Sequence, residues 1–373
     1  MKEPEEETAP PILPQRPPDH PPPTGSRYLF VFAMFVLAGV FIFGGWILSS
    51  FKEFTSSMAL PAQHEYTEVT LRTGDTTQRI QVIDINGIIT SYGPANMVGE
   101  VKAQLDMAMA DQRVKAVILR IDSPGGEVMA SDEIARAIRE FVNESSNVKP
   151  VIASMGGVAA SGGYYVAAPC NYIFANKLTI TGSIGVIMQS VNLRGLMDRV
   201  GVKPITYKSG DNKDMLSAFT PPDEVSEEQK LILQQFIDDT YDEFVRVVQE
   251  GRDMNGTRSH YTDAKGLVPE WKDSADGRIL TGQQAFELGM VDAVGNFDDA
   301  IKFTESHLNL KEGTMRVIRQ EPPLNLGGIF RLLGKAEENS KPGETTLKVD
   351  LGLSLPQIKP GVPYYLSHHL YAE

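Results

Sequence analysis

Short apolar runs alternate with amphipathic stretches from about residue 79 to residue 295. "RIQVIDINGIIT" (79–90) reads as a strand with a bend at Gly87, and "AVILRID" (116–122) as a buried strand. "PVIASM" (150–155), "NYIFA" (171–175) and "GSIGVIM" (182–188) continue the set. Between them 95–110, 131–143 (opening at Ser131) and a stretch from about 161 carry helical spacing. Strands apolar on both faces are buried ones, and parallel neighbours require helical crossovers, so the alternation predicts an α/β fold with parallel pairing. A longer helix is predicted over about 224–250. Ser226 and Gln229 have capping-box spacing, Ile237, Tyr241, Phe244 and Val248 form one stripe, and Gly251 suits the stop. A further helix starts at Thr281, and no repeat of fixed period appears.

The pattern changes at both ends. "YLFVFAMFVLAGVFIFGGWIL", Tyr28 to Leu48, has no charge and is long enough to cross a bilayer as a helix. The leader before it is longer than that of a signal peptide, so an uncleaved anchor over 28–50 is expected. Arg16 and Arg27 precede the segment and Lys52 follows it, a bias that places the N-terminus in the cytoplasm and the bulk of the chain outside, at the inner membrane. Residues 1–27 are proline-rich with an acidic cluster from Glu3 to Glu7 and cannot bury enough apolar surface to fold alone. A disordered cytoplasmic tail is expected, with a docking peptide as the second reading. The remaining divisions are a linker over 51–77, a folded α/β domain over 78–305 and an extended tail over 306–373, where Pro322, Pro323, Pro342, Pro356, Pro360 and Pro363 interrupt regular structure.

Composition narrows the function classes. The 373 residues carry a formal net charge of −13, with no cluster of Lys and Arg to meet phosphates, so a nucleic-acid partner is not expected. The single cysteine, Cys170, excludes an intrachain disulfide and supplies no metal-ligand spacing. No metal or organic cofactor is expected.

The candidate chemistry centres on "GGVAASGGYYVAAP" (156–169), where Ser161 precedes a glycine pair and an apolar helix. Taken alone the serine is either an N-cap or a nucleophile. Its surroundings are not the GxSxG elbow of α/β-hydrolases, since Ala159 and Ala160 precede it. A nucleophilic serine needs a base, usually histidine. The six histidines, His20, His64, His260, His307, His368 and His369, all lie outside the α/β core, although His260 could fold back. A lysine in an apolar pocket is the alternative, because burial disfavours the ammonium form. The candidates are Lys177, Lys203, Lys208 and Lys213. Lys213 lies in the loop-like "SGDNKDMLSAF" (209–219), between an expected strand "ITYK" (205–208) and the long helix. Its neighbours Asp211 and Asp214 complicate that choice, because adjacent carboxylates raise the pKa of an amine unless they point away or are screened. A developing oxyanion needs free amides. "RIDSPGGEV" (120–128) ends a strand in two glycines, and Gly162 follows the serine; the same turn could equally be a tight connection with no ligand.

Together, "DSPGG" (122–126), "AASGGYY" (159–165), "TGSIGVI" (181–187), "SGDNKDMLS" (209–217) and "LTGQQAFELGMVD" (280–292) resemble the signal peptide peptidase A family of membrane-anchored serine-lysine proteases, over about residues 78–300. The resemblance implies a crotonase/Clp-protease-like fold, a spiral of β-β-α repeats. It implies Ser161 as nucleophile, Lys213 as general base, Ser183 as the residue that orients the lysine amine, and Gly126 and Gly162 as oxyanion-binding amides. It implies as substrates cleaved signal peptides and other apolar peptides, cut at or near the lipid bilayer. A ring-shaped homo-oligomer whose adjoining subunits share each active site is likewise implied. The proline-rich leader and the tail after 305 match no motif of the family. Two alternatives remain: a crotonase-fold enzyme acting on acyl thioesters, and a catalytically silent ring-forming membrane scaffold.

Overall fold

The computed structural model describes residues 66–92, 96–145, 149–255 and 258–322, with the backbone of 364–366. The expected spanning segment and the proline-rich leader lie outside the described residues; among those described, no helix is long and apolar enough to cross a membrane.

The described chain forms a mixed α/β domain. In order come β1 (Thr67–Arg72), β2 (Asp75–Asn86), α1 (Met97–Ala110), β3 (Val114–Ser123), β4 (Gly125–Glu127), α2 (Val128–Glu144), β5 (Val151–Ala159), α3 (Gly162–Ala167), β6 (Tyr172–Ala175) and β7 (Ile180–Gly182). Then follow α4 (Arg194–Val200), α5 (Glu227–Gly251), a 3-10 turn (Pro269–Ser274), β8 (Ile279–Thr281), α6 (Gly282–Glu287), β9 (Ala293–Val294), α7 (Phe297–His307), β10 (Met315–Glu321) and β11 (Tyr364–Leu366). The main sheet runs β1-β10-β2-β3-β5-β6-β9. All its pairings are parallel except β1 with β10. β7 leaves the end of β5 in parallel and pairs antiparallel with β8.

Apolar residues at successive strand positions give this sheet two buried faces. Ile83, Ile85, Leu119 and Ala153 pack on one side with Leu105 of α1, Ile134 and Ile138 of α2, and Phe244 and Val248 of α5. Ile80, Val82, Ile118 and Ile152 face the other way, against Ala300 and Ile301 of α7. The register brings Ile83 beside Leu119 and Leu119 beside Ala153, so the first face is apolar across three strands.

Asp292, the last residue of the "LTGQQAFELGMVD" run, fastens the far side of this core. Its fully buried carboxylate accepts hydrogen bonds from Arg252, Arg258, the Ile173 amide at 2.8 Å and the Lys265 amide at 3.0 Å. Two guanidinium groups and two amides satisfy its oxygens, the condition under which a charge tolerates complete burial.

The described elements depart from the sequence expectations at several places. β1 falls inside the stretch expected to be a linker, and β10 inside the expected tail, where it is inserted between β1 and β2. The stretch 182–188 contributes only the end of β7, and 205–208 is irregular. α2 opens at Val128 with Glu127 at its N-cap, so Ser131 lies one turn inside the helix. The predicted capping box of Ser226 with Gln229 forms on α5, and the helix expected from Thr281 is α6, whose N-terminus carries a second, unforeseen box of Thr281 with Gln284.

Candidate active site

β3 and β5, adjacent and parallel, carry the site on their C-terminal ends, the usual location in open parallel sheets. β5 ends at Ala159, and after Ala160 the chain turns sharply at Ser161 into α3. Ser161 has φ 53° and ψ −119°, left-handed backbone that a non-glycine residue adopts at a cost of about 1–3 kcal/mol. The surroundings hold it there. Its amide donates to the Gly182 carbonyl at 2.8 Å, its carbonyl accepts from the Tyr165 amide at 2.9 Å, and the Ala160 amide donates to the Ser123 carbonyl at 3.1 Å. Thr179 and Thr181 hydroxyls reach back to the carbonyls of Gly156 and Ala159, both at 2.7 Å, tying β7 to β5 below the turn.

Ser161 occupies the N-cap position of α3, yet its side chain makes no capping bond. Its Oγ is buried and has no hydrogen-bond partner among the described residues. An unpartnered buried hydroxyl costs about 1–3 kcal/mol, so the local structure spends stability both on backbone strain and on an idle polar atom. Strain and an unsatisfied group at one residue are the marks of a site kept for chemistry.

β4 lies alongside. The Ile89 amide donates to the Gly125 carbonyl at 3.0 Å and the Glu127 amide donates to the Ile89 carbonyl at 2.9 Å. Because amides alternate in direction along a strand, the N–H and C=O of Gly126 point to the opposite edge. Only glycine fits there: a Cβ on Gly126 would lie 2.0 Å from the Ile89 carbonyl oxygen. Gly162 faces the same place, since a Cβ on it would lie 3.1 Å from the Gly126 amide nitrogen and 2.6 Å from Ser131 Oγ. Ser131 was expected to open a helix; instead its hydroxyl is fully buried behind this pair, with no partner among the described residues. The carboxylate of Glu127 closes the other end of β4, accepting from the Ser91 amide at 3.3 Å and hydroxyl at 3.1 Å.

Ser183 follows Gly182, whose carbonyl holds the Ser161 amide. It too has left-handed backbone, φ 49°, fixed by its amide's bond to the Arg278 carbonyl at 2.7 Å. Ser161, Gly162, Gly126 and Ser183 are thus gathered into one small region. Lys213 is not joined to them. It is exposed, in a turn of the arm between β7 and α5, and among the described residues its amine has no hydrogen-bond or ion-pair partner. Of the other candidate bases, Lys177 and Lys203 are exposed, while Lys208 donates to Asp214 Oδ1 at 2.8 Å and to the Asp211 carbonyl at 3.2 Å. Burial pushes the Cys170 thiol up, so it holds no reactive thiolate.

β11 was not foreseen. The backbone of Tyr364–Leu366 runs antiparallel to β4, with Tyr365 opposite Gly126. The edge to which the N–H and C=O of Gly126 point therefore accepts an extended strand, here from the same chain.

An α/β domain that presents a strained serine beside glycine amides at the ends of parallel strands falls in the class of serine hydrolases. Residues 143–311 match the family model of peptidase family S49. A provisionally named signal peptide peptidase SppA from Enterococcus faecium is 37% identical over 259 residues, 68% of this chain and 70% of that protein. A provisionally named protease from Synechocystis is 39% identical over 259 residues, 69% of this chain and 84% of its own length. The chloroplastic serine protease SPPA of Arabidopsis thaliana is 32% identical over 240 residues, 64% of this chain and 32% of that protein. The chain belongs to peptidase family S49, the signal peptide peptidase A group, and is a serine protease.

Proposed function

We propose that the protein is a membrane-anchored endopeptidase that degrades apolar peptides, cleaved signal peptides in particular, with Ser161 as nucleophile and Lys213 as general base. The observation that carries this reading is the idle, buried Oγ of Ser161 on a strained turn beside the amides of Gly126 and Gly162. The lysine amine, in its neutral form, takes the Ser161 proton as Oγ attacks the scissile carbonyl carbon. The Gly126 and Gly162 N–H groups receive the oxyanion, and Ser183 orients the amine. The ammonium gives its proton to the leaving amine, leaving an acyl-enzyme. Water then attacks, its proton passing through Lys213 back to Ser161 Oγ.

The substrate lies as an extended strand on the edge of β4 that β11 occupies in this structure, the mode of strand addition. Support comes from β11, which uses that edge. Domain and location readings accompany this proposal: a crotonase/Clp-like spiral for the catalytic part, an anchor over 28–50, an N-terminus in the cytoplasm and catalysis on the far face of the inner membrane.

A second copy of the chain completes the site in this reading. The arm that bears Lys213 exposes Leu196, Val200, Ile205 and Tyr207, and the first half of α5 exposes Leu231 and Phe236. Apolar surface of that extent calls for a partner. The lysine without a partner and the serine without a partner meet when this arm packs on a neighbouring chain, and repetition of one such heterologous contact closes a ring. Synthetic leader peptides incubated with the full chain and with Ser161→Ala, and their products weighed by mass spectrometry, test the reading. Fragments cut inside the apolar stretch by the wild type alone are expected; equal cleavage by the variant overturns it.

A further inference from the structure

An amine that acts as a base must be neutral, and Lys213 stands between two carboxylates in sequence, Asp211 and Asp214. Either one facing the amine would hold it as ammonium. The ion pair between Lys208 and Asp214 bears on this conflict, and the role given to it below rests on the Lys213 reading above. Lys208 Nζ lies 2.8 Å from Asp214 Oδ1 and 3.2 Å from the carbonyl oxygen of Asp211. One ammonium therefore binds the carboxylate that follows Lys213 and also fixes the backbone of the residue that opens the turn. Gln229 of α5 holds the same Asp211 carbonyl from the other side, at 3.0 Å. The Lys208 hydrogen bond also keeps the Asp214 carboxyl below the usual range, so it remains an anion committed to that partner.

We infer that Lys208 is a positioning residue for catalysis: by pairing with Asp214 it keeps that carboxylate away from Lys213, and its own positive charge further disfavours a second ammonium beside it. In the first turn of α5, Glu227 is matched by Lys230 at 2.7 Å and Glu228 is exposed to solvent, as are Asp223 and Glu224 before that helix. Asp211 itself presents an exposed side chain, with only its carbonyl engaged in the turn. Sequence alone marks Lys208 as a rival base. Its ion pair gives it a different part, as the partner that occupies the Asp214 carboxylate next to Lys213.

The test is the pH dependence of kcat/KM for a short apolar peptide, measured on the full chain and four variants. Activity rises with pH as the base loses its proton. In Lys208→Met the freed Asp214 carboxylate stabilises the Lys213 ammonium, and the acid limb is expected to move up by about one pH unit or more, with activity recovered at high pH. Asp214→Asn added to Lys208→Met removes the offending charge and returns the limb to the wild-type position. Lys208→Arg keeps the cation and holds the limb in place. An acid limb that stays put in Lys208→Met, or that stays shifted after Asp214→Asn is added, overturns the inference. Lys213→Ala separates the two levels: hydrolysis retained there overturns the dyad itself, whereas loss of hydrolysis with an unmoved limb in Lys208→Met overturns only the role of Lys208.

Discussion

Ser161 concentrates the cost of the site in one residue, and its substitution separates catalysis from folding. Ser161→Ala removes a buried hydroxyl that has no partner among the described residues, so the thermal midpoint is expected to hold or rise while turnover falls by about ten-thousand-fold or more. Calorimetry beside a peptide assay reads both. A marked drop in the midpoint would mean that the hydroxyl serves the fold. Gly126→Ala is expected to fail differently. Its Cβ would meet the Ile89 carbonyl, backbone that no rotamer change moves aside, so solubility and activity fall together. The run "AASGG" poses the choice between cap and nucleophile but does not decide it. A positive φ and a missing capping bond, neither of which residue type encodes, support the proposed nucleophile.

At the scale of elements, one buried carboxylate, Asp292, ties together the segments that carry Ile173, Arg252, Arg258 and Lys265. Asp292→Ala leaves Arg252 and Arg258 buried without their counter-ion and is expected to destabilise the domain by about 3–5 kcal/mol, read by urea denaturation. A loss below about 1 kcal/mol would show that solvent reaches the two guanidinium groups. Most strands and helices of the core were legible from their spacing, because β2, β3 and β5 are apolar on both faces and α5 begins at a capping box. β10 was not: "MRVIRQE" alternates apolar and charged residues, and its place between β1 and β2 depends on pairing far along the chain. β11 is three residues long, too short to leave a periodicity. Within the site, the glycine strand and the serine turn were visible as motifs. The Lys208–Asp214 pair was not, because two charges six positions apart in an irregular loop carry no rule for their meeting.

For the whole molecule, the exposed arm and the tail make separate predictions. Leu231→Glu combined with Phe236→Glu places charges on the uncovered part of α5. Sedimentation is expected to show loss of the proposed oligomer, and hydrolysis is expected to disappear with it; a monomer that still cleaves peptides would remove the need for a partner. Deleting residues 364–373 frees the edge of β4 on which Tyr364–Leu366 lies, so the KM for a short peptide is expected to fall, and an unchanged KM would place substrate elsewhere. The central claim is that Ser161 of one chain works with Lys213 of the next. Mixing equal amounts of Ser161→Ala and Lys213→Ala chains, each inactive alone, and reassembling them tests it most directly. Random assembly around a ring is expected to restore about a quarter of wild-type turnover, because that share of junctions joins an intact serine to an intact lysine. A mixture as inactive as its two components would contradict the account.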